Sequence, residues 1–152
     1  GMLEVGRKKM AEAGLEDRIH LEYGDSETMQ YEDNSFDAIT CGYGVRNFEN
    51  LEKGLTQMHR VLRPAGKAAI LEFSRPKTFP VKQLYYFYFR YIMPKMGKMV
   101  SKDATAYTYL PESVMVFPEG KEFTAIMEKC GFRNAKAQPL TFGITTLYTA
   151  TK

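Results

Sequence analysis

The sequence predicts an α/β domain whose mostly parallel sheet closes on an antiparallel strand pair. Three observations lead there. Helical and strand patterns alternate through the chain, which gives parallel strands joined by crossover helices. The stretch "RVLRPAGKAAILEFS", Arg60 to Ser74, runs a helix into Arg-Pro-Ala-Gly and starts a strand at once. The chain then closes on two strand patterns separated by Gly143.

The elements follow in order. Leu3 to Ala13 reads as an amphipathic helix ended by Gly14, with Lys and Arg in its latter half. Arg18 to Tyr23 sets Ile19, Leu21 and Tyr23 against polar neighbours, the alternation of a strand. "GDSETMQYEDNS" is a polar loop with no helix or a very short one, and its Glu27, Glu32 and Asp33 read as a solvated face. Phe36 to Tyr43, "FDAITCGY", is the next strand. Asn50 to Leu62 is a helix with Leu51, Leu55, Met58 and Leu62 on one face. Pro64 stops it, because proline lacks the donor and clashes with the preceding turn, and Gly66 supplies a permissive backbone for the tight connection. Lys67 to Phe73 is an apolar run suited to a strand buried on both faces. "PEGKEFTAIMEKCGF" gives a helix from Glu119 to Cys130 closed by Gly131, and Phe132 to Phe142 pairs with Ile144 to Thr151.

Composition narrows the function classes. At 152 residues and 44% hydrophobic content the chain is one domain able to build a core. A net charge of +3 points to no particular partner, and no nucleic-acid role is expected. Cys41 and Cys130 lie far apart without metal-ligand spacing and read as reduced thiols. No apolar run reaches the roughly 18 residues that span a bilayer, and no signal-peptide layout opens the chain, so a cytoplasmic protein is expected. His20 and His59 are isolated from other ligand types, and no metal is expected.

Ligands of open α/β sheets sit beyond the carboxyl ends of the strands. Glu72 and Ser74 stand at such an end, although a charge capping a strand is as often plain solvation. Asp25 and Ser26 follow the first strand pattern. A carboxylate there could accept from an adenine amine, or form an Asx turn. Gly42 and Gly44 flank Tyr43, where glycine lets a ligand approach the backbone or simply permits a bend. Arg46-Asn47 comes next, and Arg46 could polarise a substrate oxygen or pair with a nearby acid. The segment Phe79 to Val100, "FPVKQLYYFYFRYIMPKMGKMV", is aromatic nearly all round, with Lys82, Arg90, Lys95 and Lys98 among the rings. One buried stripe does not require so many rings.

"GDSETMQYEDNSFDAITCGYGVRN" followed by "RVLRPAGKAAILEFS" resembles the menaquinone/ubiquinone-biosynthesis C-methyltransferase family, whose signature runs R-V-aliphatic-K-P-G-G into a strand ending E-x-S. Arg63 and Ala65 depart from it. The likeness continues through "MPKMGKMVSKDATAYTYLPESVMVFPEG", with P-x-M-G-K and Y-x-Y-L-x-E-S, and covers essentially the whole chain.

The resemblance implies a class I S-adenosylmethionine-dependent methyltransferase (Rossmann-like) fold that starts in the helix after the second strand. The strand, glycine-rich loop and ribose-binding acid that open such folds would then lie outside these residues. It implies S-adenosylmethionine as cofactor, contacted by Asp25, Ser26 and Gly42. Arg46 and Asn47 would be catalytic, and Tyr43, Tyr88 and Tyr91 would meet the substrate. That substrate is a polyprenyl quinol methylated on a ring carbon, covered by an aromatic lid at about 76–118 within the single partial domain. The basic residues of the lid could rest on anionic lipid at the inner face of the membrane. In the family sheet two strands lie between Arg18–Tyr23 and Phe36–Tyr43, and the edges they would leave unpaired lead to the expectation of a homodimer. The rival reading is a non-catalytic remnant that serves as an interaction or oligomerisation module.

Overall fold

Strands β1 (Phe36–Gly42), β2 (Leu62–Phe73), β3 (Arg133–Leu140) and β4 (Thr145–Thr151) form one sheet in the order β1-β2-β4-β3. Strands β1 and β2 are parallel, whereas β4 runs antiparallel to both of its neighbours. Helices α1 (Met2–Glu12), α2 (Leu51–Val61), α3 (Val81–Phe87) and α4 (Lys121–Lys129) complete the labelled elements. The computed structural model describes residues 1–92 and 112–152. The parallel pair with an antiparallel tail is the arrangement expected from the sequence.

Helix α2 starts where the Asn50 side chain accepts the Lys53 N–H at 3.0 Å, a cap for an otherwise orphaned donor. It ends directly in β2, through Arg63, Pro64 and Ala65. The left-handed residue of that joint is Ala65, at φ +64°, and not Gly66. Gly66 is needed for space instead: a Cβ there would lie 2.8 Å from the Arg63 carbonyl and 3.1 Å from that of Asp37.

The core lies between the sheet and helices α2 and α4. Leu55, Met58, Phe123 and Met127 pack on Ala68, Ile70, Tyr148 and Ala150, all buried. The ring of Phe123 meets Tyr148 edge-on at 4.6 Å, and the Tyr148 hydroxyl accepts the Gly120 N–H at 2.9 Å. Strand β2 alternates accordingly: Ala68, Ile70 and Glu72 are buried while Ala69, Leu71 and Phe73 are half-buried. It is therefore not buried on both faces, since α2 and α4 cover one side only.

Residues 1–35 contain no buried side chain. The strand expected at Arg18 to Tyr23 is absent: Arg18 closes a turn, its N–H on the Leu15 carbonyl at 3.0 Å, and Ile19 to Tyr23 have no regular secondary structure. A strand exists only by pairing, and among the described residues β1 is paired with β2 alone. The segment rests against α1 instead, with the Arg7 guanidinium donating to the Leu21 carbonyl at 3.1 Å. The aromatic segment is helical as expected over α3 and continues as a wider turn, Tyr88–Ile92. Its remainder, 93–100, with Lys95 and Lys98, and the P-x-M-G-K motif lie outside the described residues. Among the described residues no helix is long and apolar enough to cross a membrane.

Candidate active site

The period-two alternation that buries Ala68 and Ile70 carries Glu72 to the buried side at the carboxyl end of β2, where it is 0% exposed. Beyond β1 the chain reverses at Tyr43, φ +56°, and a short 3₁₀ turn, Val45–Asn47, brings Arg46 back over the sheet. Arg46 Nη1 lies 2.6 Å from Glu72 Oε1 and also donates to the Tyr43 carbonyl at 2.6 Å. Glu72 further accepts the Arg46 N–H at 3.3 Å and the Phe73 N–H at 3.0 Å. Solvation does not account for Glu72. It is a buried carboxylate whose charge is balanced by an arginine from the neighbouring strand end.

Of the two roles left open for Arg46, the structure shows the pairing with an acid. Its Nε is buried and has no hydrogen-bond partner among the described residues. The guanidinium lies over the Phe73 ring, 5.4 Å from the centroid, and Tyr43 packs on the same ring at 4.4 Å. Asn47 is exposed, and its backbone N–H donates to the Gly44 carbonyl at 3.0 Å. A Cβ at Gly44 would lie 2.9 Å from Cys41 Sγ, so this glycine serves the bend. Gly42 differs: a Cβ there would meet nothing within 4 Å, and the backbone faces open space. Burial pushes the Cys41 thiol up, which keeps it neutral.

The turn at Asp25 reaches the same end of the sheet through a contact that sequence reading missed. Glu27 accepts the Asn50 N–H at 2.7 Å and lies 3.8 Å from Lys53 Nζ, tying the turn to the start of α2. Glu27 is 13% exposed in its side chain, so it is not part of a solvated face. Asp33 is likewise engaged, 2.6 Å from Arg60, which also binds the carbonyls of Met29 and Tyr31. Asp25 Oδ1 accepts the Glu27 N–H at 2.8 Å, an Asx turn, while Ser26 is half-buried. A cleft of about 330 Å³ opens beside them, lined by Tyr23, Gly24, Asp25, Ser26, Thr28 and Met29 among others.

A second, apolar cavity of about 500 Å³ lies under α3, lined by Phe73, Val81, Leu84, Tyr85, Tyr88, Phe89 and Ile144. Phe73 is common to this cavity and to the Arg46 cluster. Tyr88 lines the cavity. Tyr91 does not; it stacks on Phe87 at 5.2 Å and is half exposed. Tyr43 reaches the cavity only through Phe73. Ser74 is buried and spent on structure, donating to the Gly143 carbonyl at 3.0 Å and accepting from Thr146 at 2.9 Å. Among the described residues no cluster of three metal-ligand side chains occurs. Tyr85, the cavity's most buried ring, carried no sequence signal beyond its place in an aromatic run.

Solved structures share this architecture. An S-adenosylmethionine-dependent methyltransferase from Aquifex aeolicus superposes with a TM-score of 0.67 at 16% identity, covering 99% of this chain and 63% of that one. A methyltransferase from Thermotoga maritima gives a TM-score of 0.62 at 18% identity, covering 95% of this chain and 70% of that one. At such identities the likeness shows the fold, a class I methyltransferase sheet present in part. Sequence relatives are closer. A demethylmenaquinone methyltransferase of Bacteroides fragilis is 45% identical over 152 residues, all of this chain and 62% of that protein. A ubiquinone/menaquinone biosynthesis C-methyltransferase of Geobacter sp. is 46% identical, over 99% of this chain and 64% of that protein. The chain therefore spans a little under two thirds of the length of these curated relatives. Its match to the ubiE/COQ5 methyltransferase family runs over residues 1–152, and the chain belongs to that family.

Proposed function

We propose that the native protein carrying this chain methylates a ring carbon of a polyprenyl quinol, with S-adenosylmethionine as the methyl donor. One observation carries the reading: the buried Arg46–Glu72 pair sits on the Phe73 ring, and that ring lines an apolar cavity roofed by aromatic α3. An apolar cavity with a few convergent polar groups suits a lipophilic acceptor with a polar head. The names of the relatives, demethylmenaquinone and ubiquinone/menaquinone methyltransferases, point the same way.

The residues present fit the adenine side of the cofactor. The Asp25 turn and the open face of Gly42 share the end of the sheet where such a group binds. S-adenosylmethionine, when bound, supplies an electrophilic methyl on sulfonium. The protein's part is to make the ring carbon nucleophilic and to hold it in line. Arg46 Nε is the donor left over for a quinol oxygen or for a water that takes its proton, with Glu72 fixing the guanidinium. Removing that proton raises electron density at the ring carbon. The cavity wall restricts the acceptor's orientation, and proximity supplies much of the acceleration. Asn47 is assigned beside Arg46 on family resemblance.

The exposed rings of Leu84's helix, Phe87 and Tyr91 among them, lie with Lys82 and Arg90 on one helical stretch, which supports contact with an anionic membrane surface. Among the described residues strand β1 pairs on one side only, which supports a homodimer joined at that edge. Light scattering at micromolar concentration checks the dimer, and a stable mass of 17.4 kDa would refute it.

Transfer of labelled methyl from S-adenosylmethionine to a prenyl naphthoquinol by the native protein tests the reaction. Arg46→Ala should lower turnover and leave cofactor affinity nearly unchanged. Parallel loss of both would place Arg46 on the cofactor side or in folding.

A further inference from the structure

Tyr85 combines two properties that rarely occur together. It is 8% exposed, and its hydroxyl has no hydrogen-bond partner among the described residues. Buried tyrosines nearly always find a partner, because a desolvated hydroxyl without one is costly. Tyr85 also lines the apolar cavity, whose other described walls are Phe73, Val81, Leu84, Tyr88, Phe89 and Ile144. Apart from Tyr88, these side chains offer no polar atom.

We propose that the Tyr85 hydroxyl donates a hydrogen bond to a ring oxygen of the aromatic acceptor and so positions it in the cavity. The inference rests on the reading of that cavity as the acceptor site. Packing alone does not explain the tyrosine. Its ring stacks on Phe89 at 4.4 Å and meets Tyr86 edge-on at 5.8 Å, contacts that a phenylalanine would keep. Among the described residues no hydrogen bond offsets the hydroxyl's desolvation, and a ligand oxygen would relieve that cost. Burial, with Tyr86 and Glu119 acting in the same direction and Arg75 against them, pushes the phenol up to about 12. It stays protonated at neutral pH and remains a donor.

The bond also gives the cavity a means of discrimination. A site built to bind an oxygen rejects analogues that lack it, because its own polar group is then left unpaired. Tyr85 acts on placement of the ring, whereas Arg46 acts on its proton.

The experiment is calorimetric titration of this chain and of Tyr85→Phe with two probes, 2-prenyl-1,4-naphthoquinol held reduced and 2-prenylnaphthalene, together with thermal melts of both proteins. The variant should melt no lower than the parent, bind the quinol about tenfold more weakly, and bind the hydrocarbon equally well. If both probes bind the parent and Tyr85→Phe spares the quinol, the inference falls while the acceptor-site reading stands. Equal weakening for both probes would show that Tyr85 acts by packing, and would also overturn it. If neither probe binds the parent, the acceptor-site reading fails and takes the inference with it.

Discussion

Helices α1 and α2 are both 11 residues long, and both carry apolar side chains at helical spacing. Helix α1 buries none of its residues, whereas α2 buries Gly54, Leu55, Met58 and Val61. The surfaces offered to them differ. Helix α2 lies on β2 and beside α4, where Ile70, Phe123 and Met127 complete its apolar face. Among the described residues helix α1 meets the irregular segment near Leu21, whose Cδ1 lies so close that a Cβ at Gly6 would come within 2.8 Å of it. Short helices gain most of their stability from packing an apolar face rather than from propensity. The molecule thus consists of a consolidated four-stranded body and an N-terminal arm that is joined to it mainly by polar contacts, Glu27 on Asn50 and Arg60 on Asp33 and the carbonyls of Met29 and Tyr31.

The candidate site divides along the same line. Arg46, Glu72, Phe73 and Tyr85 belong to the body and are held by its core. Asp25 and Ser26 belong to the arm and are held to the body by Glu27.

The comparison can be broken most severely at Glu72. Glu72→Ala leaves Arg46, 11% exposed, without its counter-charge, and removing one partner of a buried pair costs about 3–5 kcal/mol. Urea denaturation should show that loss. A change below about 1 kcal/mol would mean that water reaches the pair. The body and arm are compared directly by Ile70→Ala and Val5→Ala. Ile70 is 0% exposed and its truncation should cost about 2–5 kcal/mol, while Val5 is 57% exposed and should cost under about 0.5 kcal/mol. Comparable losses at both sites would show that the arm folds as part of the body. The smallest effect has the opposite sign. Ala65 sits at φ +64°, a conformation that strains any residue with a Cβ, so Ala65→Gly should stabilise the chain by about 1 kcal/mol. A lower melting temperature would show that the joint between α2 and β2 relaxes in solution.

The body was largely legible in the sequence because its signals are local. Asn50 caps α2, Pro64 ends it, Gly131 closes α4, and Gly143, at φ +86°, turns β3 into β4. The turn at Ala65 was misassigned to Gly66, since glycine is needed there for close approach and not for its dihedral angles. The strand pattern at Arg18 to Tyr23 failed because alternation records a face to be buried, not the presence of a neighbour to pair with.

The site was legible only in outline. Arg46 and Glu72 each drew notice, but the 26 residues between them hid the ion pair that joins them. Glu27 looked like one acid among several, and its bond to Asn50 spans 23 positions. Tyr91 and Tyr88 stand three residues apart in the same aromatic run, and nothing in that run distinguishes Tyr88, which lines the cavity, from Tyr91, which does not.

The division between body and arm has a direct consequence for binding. On the proposed reading the acceptor side of the site is built into these residues, while their cofactor side amounts to the Asp25 turn, with Oδ1 already engaged, and the open face of Gly42. Isothermal titration of the 152-residue chain with S-adenosylmethionine measures what that side can do alone. Binding should be undetectable or weaker than about 1 mM, an affinity of about 4 kcal/mol. A micromolar dissociation constant, about 8 kcal/mol, would contradict this division, because the arm would then have to carry a complete cofactor site.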